Sequence, residues 1–184
     1  MSILQNIKNN NPSDIWNTSY CTIQAVQAWQ DLMLWEGFLN FSEPKAIVEI
    51  GTLQGGLSLY LKHQADSRKA KFFTIDFQKY CDFSRFPNST LLPHFIHADV
   101  WDKKTVEPLI ADNSNKPLAL LCDGGNKPKE MQTFTPLLSV GDFAIVHDWG
   151  NEVSDADLVG LPIEMILRQE CESLKSLTRF FKRI

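Results

Sequence analysis

The chain has no run of about 18 apolar residues, so nothing in it reads as a membrane-spanning helix. It has no block of like charge: with Lys+Arg 18 against Asp+Glu 22, the formal net charge is -4. That balance offers no general attraction to a polyanion, and neither nucleic acid nor an anionic membrane is expected as a partner. Cysteine is sparse and scattered. Cys21, Cys81, Cys122 and Cys171 include no pair at the close spacing of a zinc clip or redox couple, and they read as reduced, mostly buried thiols. No internal repeat, low-complexity block or linker divides the 184 residues. The start, MSILQNIKNNNPSD, lacks the charge-then-apolar pattern of a secretion signal. Together these absences lead us to expect a soluble, cytoplasmic protein with one core.

Residues 1–17 show no periodicity and read as a lead-in, with Trp16 as an anchor. Thr18 or Ser19 then caps an expected helix whose apolar residues Tyr20, Ile23, Val26, Trp29, Leu32 and Met33 recur at three-to-four spacing, with Gly37 just past its end. This helix packs on a sheet, so that residues 1–43 form a lead-in and helix, and residues 44–184 form the main body of a single domain. From Pro44 onward short apolar runs alternate with longer mixed segments. The strand candidates are Ala46–Ile50, Lys71–Ile75, His94–Ala98, Leu118–Cys122 and Phe143–His147. Each is apolar on both faces, as parallel strands between two helical layers must be. The helix candidates are Gly56–Gln64, Lys103–Ala111, Lys129–Leu138 and Asp155–Glu172. Ser173–Ile184 supplies one further strand, with Lys175, Arg179, Lys182 and Arg183 as a solvated end. The expected fold is α/β and Rossmann-like, with a mostly parallel central sheet and helices on both faces.

In such sheets ligands bind outside the carboxyl ends of the strands, where strand order reverses. The turn after Ala46–Ile50 carries Gly51, Thr52, Gly55 and Gly56, which let the chain leave the strand sharply and bring backbone N–H groups to a ligand. Asp76, 25 residues after Gly51, is placed to accept from a ribose diol. A nicotinamide dinucleotide fits that distance too, and an oxidoreductase stays open on these residues. The glycine spacing, G-x-x-x-G-G rather than G-x-G-x-x-G, and Glu49 two residues before the turn favour S-adenosylmethionine (SAM). A carboxylate there opposes a pyrophosphate and suits the cationic methionine end.

The segments E-I-G-T-x-x-G-G-x-S, Asp76 after the second strand, and A-D-V at Ala98–Val100 resemble class I SAM-dependent methyltransferases, over roughly Pro44 to Gly150. The resemblance implies that Glu49 and the Gly51–Gly56 backbone hold the methionine moiety, Asp76 the ribose, and the Asp99 region the adenine. A second constellation, DGGNKPKE from Asp123 and GDFAIVHDW ending at Trp149, resembles the metal-dependent O-methyltransferases and the cephalosporin-hydroxylase-like group, including sugar O-methyltransferases. There an acidic residue after strand four and an acidic pair after strand five bind a metal, which points to Asp123, His147 and Asp148 here. His147 replaces the usual first acid, and Asn126 stands where many relatives have His. Carboxylates suit Mg²⁺, whereas an imidazole tilts the set toward a transition metal.

The reaction implied is displacement at the sulfonium methyl by an acceptor hydroxyl, with a sugar or glycan hydroxyl favoured. Asp123 borders the cofactor turn, His147 is the candidate base, and Lys127 is placed to steady an anionic substrate. Two other readings are kept: a SAM-binding module without transfer activity, motivated by a short C-terminal part, and a homodimer completing the acceptor pocket. His97, between Ile96 and Ala98, reads as a core side chain.

Overall fold

The computed structural model describes residues 18–85 and 91–184. The Trp16 anchor lies outside those residues. A seven-stranded sheet organises the rest. Its strands are β3 (Ala46–Ile50), β4 (Lys71–Asp76), β5 (Phe95–His97), β6 (Leu118–Cys122), β7 (Phe143–Val146), β8 (Ile163–Ile166) and β9 (Arg179–Arg183), in the spatial order β5-β4-β3-β6-β7-β9-β8. The first five are parallel, while β9 runs antiparallel to both β7 and β8. This is the expected α/β, Rossmann-like architecture. Every residue of β3, β6 and β7 is buried, which explains their apolar composition on both faces.

Two hydrophobic cores lie on the two faces. One is built around Trp35, Phe38 and Leu39 of α1 (Trp29–Ser42), together with α2 (Gly56–Ser67) and Phe143 and Phe180 from the sheet. Phe38 and Phe180 meet at a centroid distance of 4.8 Å, with Trp35 edge-on to Phe180 at 5.4 Å. The other core gathers Val106 and Ile110 of α3 (Lys103–Ala111) and Met131 and Phe134 of α4 (Lys127–Phe134) against Val48, Leu120 and Val146. Among the described residues no helix is long and apolar enough to cross a membrane.

Two expected elements are corrected. The helix read from Thr18 or Ser19 begins only at Trp29 and runs through Gly37 to Ser42. Ahead of it, β1 (Ser19–Tyr20) and β2 (Ile23–Gln24) pair antiparallel around a tight turn at Cys21 and Thr22. The true start is set by Asp31, whose carboxylate reaches back to accept from the Ala28 N–H at 3.1 Å, one arm of a capping box. The helix read over Asp155–Glu172 is instead a 3-10 turn at Asp155–Leu158, strand β8, and the short helix α5 (Arg168–Ser173). Gly160 at φ 84 and Pro162 break that stretch before a helix can propagate.

The strand expected within Ser173–Ile184 is β9. Its end is not wholly solvated, because Arg179 is 9% exposed and donates to the Ser176 and Thr178 carbonyls. His97 is exposed rather than part of the core, and its Nε2 lies 2.9 Å from the Phe77 carbonyl.

Candidate active site

Strand order reverses between β3 and β6, so their carboxyl ends open a crevice. The register pairs Ile50 with Cys122, and the Asp123 N–H donates to the Ile50 carbonyl at 3.0 Å. Gly51 and Asp123 therefore leave the sheet side by side. Gly51 has φ 95, and a Cβ built on it falls 2.3 Å from the Asp123 carbonyl oxygen, so the close crossing of these two turns requires glycine. A Cβ at Gly56 falls 2.3 Å from the Gln24 carbonyl oxygen. That glycine lets α2 start directly under β2.

Asp76 at the end of β4 holds the glycine turn from the side. Its Oδ2 accepts from the Thr52 and Leu53 N–H groups at 3.1 and 3.0 Å, and its Oδ1 accepts from Gln78 at 2.9 Å. A carboxylate offers about four acceptor positions, so capacity remains for a ligand hydroxyl. Beneath the turn lies a buried polar chain that the sequence reading missed. Ser58 Oγ donates to Glu49 Oε2 at 2.5 Å, and the Thr52 and Thr74 hydroxyls lie 2.5 Å apart. Glu49 is fully buried and lines neither cavity described below, so it supports the turn from behind rather than facing a ligand. Burial pushes its carboxyl up to about 8, against the hydrogen bonds from Ser58 and Thr74 that lower it.

Two cavities flank the crevice. One, of about 570 Å³, is lined by the glycine turn, Asp76, Phe77, Asp99, Trp101, Asp123 and Asn126. The other, of about 640 Å³, is lined by Val26, Gln27, Thr52, Asp123, Lys127, His147 and Asp148, together with Asn151 and Leu177. Gly51, Leu53 and Asp123 belong to both. A ligand spanning the crevice thus passes Asp123. Of the expected cofactor residues, Gly51, Thr52, Asp76, Asp99 and Asp123 reach a cavity wall, and Gly55 caps α2 in the left-handed conformation.

Asp123, His147 and Asp148 converge as expected, with one donor atom from each lying within 4.8 Å of the others. His147 Nδ1 sits 3.4 Å from Asp123 and 3.5 Å from Asp148. Burial alone would lower its pKa, but the two carboxylates outweigh burial and hold the imidazole at about 10. The two carboxylates thus favour the protonated form of the imidazole, from which Nδ1 donates to them. Asp148, at φ 61, is held well below the usual carboxylate range, first by its hydrogen bond from His147 and then by Lys127, with burial opposing.

Lys127, 5% exposed, enters the same cluster. Its Nζ lies 2.9 Å from Asp148, 3.0 Å from Glu152 and 3.5 Å from Asp123, and donates to the Gly124 carbonyl at 3.2 Å. These contacts fix Lys127 as a buried member of the cluster rather than a surface charge. A divalent ion at Asp123, His147 and Asp148 would stand beside this ammonium, which already contacts both carboxylates. The donor set as arranged does not fit one.

Behind the imidazole, Asp31 Oδ2 faces Nε2 at 4.0 Å, while its Oδ1 accepts from Ser176 Oγ and from the Thr178 N–H at 3.3 Å. In front, Gln27 Nε2 donates to Asp123 Oδ2 at 2.8 Å. Neither residue stood out in the sequence, since Gln27 and Asp31 lay in a segment read as one helix. Asp31 preceding the apolar positions Leu34, Trp35, Phe38 and Leu39 was the only available signal, as a cap.

A family model described as rhamnosyl O-methyltransferase/CmcI matches residues 13–160, more than half of the chain. The chain belongs to this family. The class I methyltransferase fold is shared with solved structures of low sequence identity. An apo form of CmcI is 18% identical, with TM-score 0.73, over 94% of this chain and 78% of that one. CmcI with Mg and SAM is 21% identical, with TM-score 0.60, over 74% of this chain and 59% of that one. A putative caffeoyl-CoA O-methyltransferase from Staphylococcus aureus is 14% identical, with TM-score 0.56, over 98% of this chain and 90% of that one. No curated protein sequence matches the chain significantly.

Proposed function

We propose that the chain is a SAM-dependent O-methyltransferase acting on a small hydroxylated acceptor, with a sugar hydroxyl as the favoured class. The observation that carries this reading is Asp123, a carboxylate shared by a cavity built like a nucleoside site and a second cavity beside it that also holds Lys127, His147 and Asp148. SAM would lie with its ribose at Asp76, its adenine toward Asp99 and Trp101, and its methionine end over Gly51 and Thr52. Support for SAM also comes from CmcI, whose structure carries Mg and SAM, and support for a sugar acceptor from the family description as rhamnosyl O-methyltransferase.

An acceptor hydroxyl in the second cavity attacks the sulfonium methyl in line. A carbon–oxygen bond forms, the carbon–sulfur bond breaks, and S-adenosylhomocysteine leaves. The hydroxyl proton passes to the Asp123 carboxylate, the acceptor on the path between the cavities, with the His147 imidazole beside it as the second candidate base. Gln27, His147 and Lys127 hold that carboxylate in place. Holding the two reactants at contact distance supplies most of the acceleration for such a displacement.

Calorimetry with SAM tests the reading. Native chain should bind with one-to-one stoichiometry, Asp76→Ala should weaken binding at least tenfold, and Asp123→Ala should abolish turnover with sugar acceptors. Absence of SAM binding by folded native chain would end the proposal.

A further inference from the structure

The most unusual feature of the site is that a lysine stands inside a ring of oxygens that a cation would otherwise fill. Nζ of Lys127 has four oxygen neighbours: Asp148 Oδ2 at 2.9 Å, Glu152 Oε2 at 3.0 Å, the Gly124 carbonyl at 3.2 Å and Asp123 Oδ1 at 3.5 Å. Two of these groups, Asp123 and Asp148, belong to the three-residue set whose donor atoms converge within 4.8 Å. The third member, His147, directs Nδ1 at the same two carboxylates. An ammonium is compact and carries three donors, so it can satisfy three or four oxygens much as a small ion would. Mg²⁺ by contrast demands near-octahedral oxygen ligands at 2.0–2.1 Å and keeps several waters. Nζ occupies the space between the two carboxylates where such a shell would stand.

The local backbone fixes the lysine there. Lys127 is the first residue of α4, whose N-cap Asn126 accepts from the Lys129 N–H at 3.1 Å, and Pro128 follows it at the helix start. From that position the side chain turns back over the Asp123–Gly124 loop instead of outward to solvent.

We propose that Lys127 takes the place of a divalent cation in this chain, so that its ammonium organises Asp123 and Asp148 and the methyl transfer proceeds without added metal. This rests on the methyltransferase reading, but its decisive test does not. Mn²⁺ binding to the full chain is read by electron paramagnetic resonance and by calorimetry, alongside Lys127→Ala and Lys127→Gln, with circular dichroism to confirm folding. Native chain should show no saturable Mn²⁺ site at millimolar ion. At least one folded lysine variant should gain a single site with affinity at least tenfold tighter than that limit, and adding Asp148→Ala should remove it. Turnover by native chain should be unchanged by a chelator.

One Mn²⁺ bound tightly by native chain and lost in Asp148→Ala overturns the proposal. So does the failure of both folded lysine variants to gain a site, because the lysine is then not standing in for an ion. Native chain that fails to bind SAM sinks the functional reading and leaves the Mn²⁺ result to decide this one.

Discussion

Replacing Glu49 by glutamine keeps the shape of a fully buried side chain and removes its ability to ionise. In the folded chain this carboxyl titrates at about 8, against an ordinary 4.5, because burial in β3 penalises the carboxylate more than Ser58 and Thr74 can offset. Between those two pH values the unfolded chain has released the proton and the folded chain has kept it. The folded state then binds more protons, and stability must fall as pH rises. The contribution is fully present below pH 4.5 and is lost by about pH 8. At about 1.4 kcal/mol per pH unit, that interval is worth about 5 kcal/mol, a large part of the stability of an ordinary domain. Urea unfolding of native chain and Glu49→Gln at pH 4, 6, 8 and 9 reads this directly. The stability difference, native minus variant, should fall by about 5 kcal/mol across the series, since other titrating groups are common to both chains. Parallel curves would refute the argument and place the Glu49 carboxylate in contact with water or with a cation.

Three further outcomes are expected. Asp31→Ala removes the acceptor of the Ala28 N–H and the carboxylate partner of Ser176 and Thr178, which keep only their bonds to each other, and should cost about 1–3 kcal/mol in chemical unfolding. Gly56→Ala drives a Cβ against the Gln24 carbonyl and should lower stability by about 1–3 kcal/mol in thermal unfolding, with a matching loss of order in the β1–β2 hairpin by amide hydrogen exchange. Gln27→Ala removes a charge-assisted hydrogen bond to Asp123 worth about 2 kcal/mol. It should raise the acceptor KM roughly tenfold or more while SAM affinity changes less than threefold, because Gln27 lines only the second cavity. A larger effect on SAM than on the acceptor would reverse the assignment of the two cavities.

The central sheet was legible because each of its five parallel strands carries apolar residues on both faces, a pattern that burial between two layers demands. The glycine turn was legible for a related reason: Gly51 and Gly56 mark places where another backbone passes too close for a Cβ. What failed were the stretches where residue spacing satisfied a helix by coincidence. Tyr20, Ile23 and Val26 recur as helix positions do, but Thr18, Thr22, Ile23 and Val26 are β-branched, and the segment pairs as a hairpin instead. In Asp155–Glu172 the breakers Gly160 and Pro162 were present and outweighed the apolar spacing. The burial of Glu49 was not legible, because a carboxylate before a glycine turn reads the same whether it faces the crevice or the core. The strand's alternation put it beside Ser58 and Thr74, three-dimensional neighbours that no local pattern names.

Those failures bear on the acceptor pocket. A short C-terminal part suggested an incomplete site, and so a binding module without activity. The residues after 160 add β8 and β9 to the sheet, and the Ser176–Arg179 stretch between α5 and β9 contributes Leu177 to the second cavity and packs behind His147 through Asp31. The remaining wall comes from the opposite end of the described chain, where the segment after β2 brings Ala25, Val26 and Gln27 over Asp123. Val26 is held at φ 48, a conformation that a β-branched residue adopts only when its surroundings compel it. The pocket is therefore closed by a strained link that connects a hairpin to α1, with Gly56 allowing the hairpin to sit directly on the cofactor helix. The hairpin that leads into the wall of the second cavity and the helix that follows the glycine turn are thus in direct backbone contact, through Gln24 and Gly56.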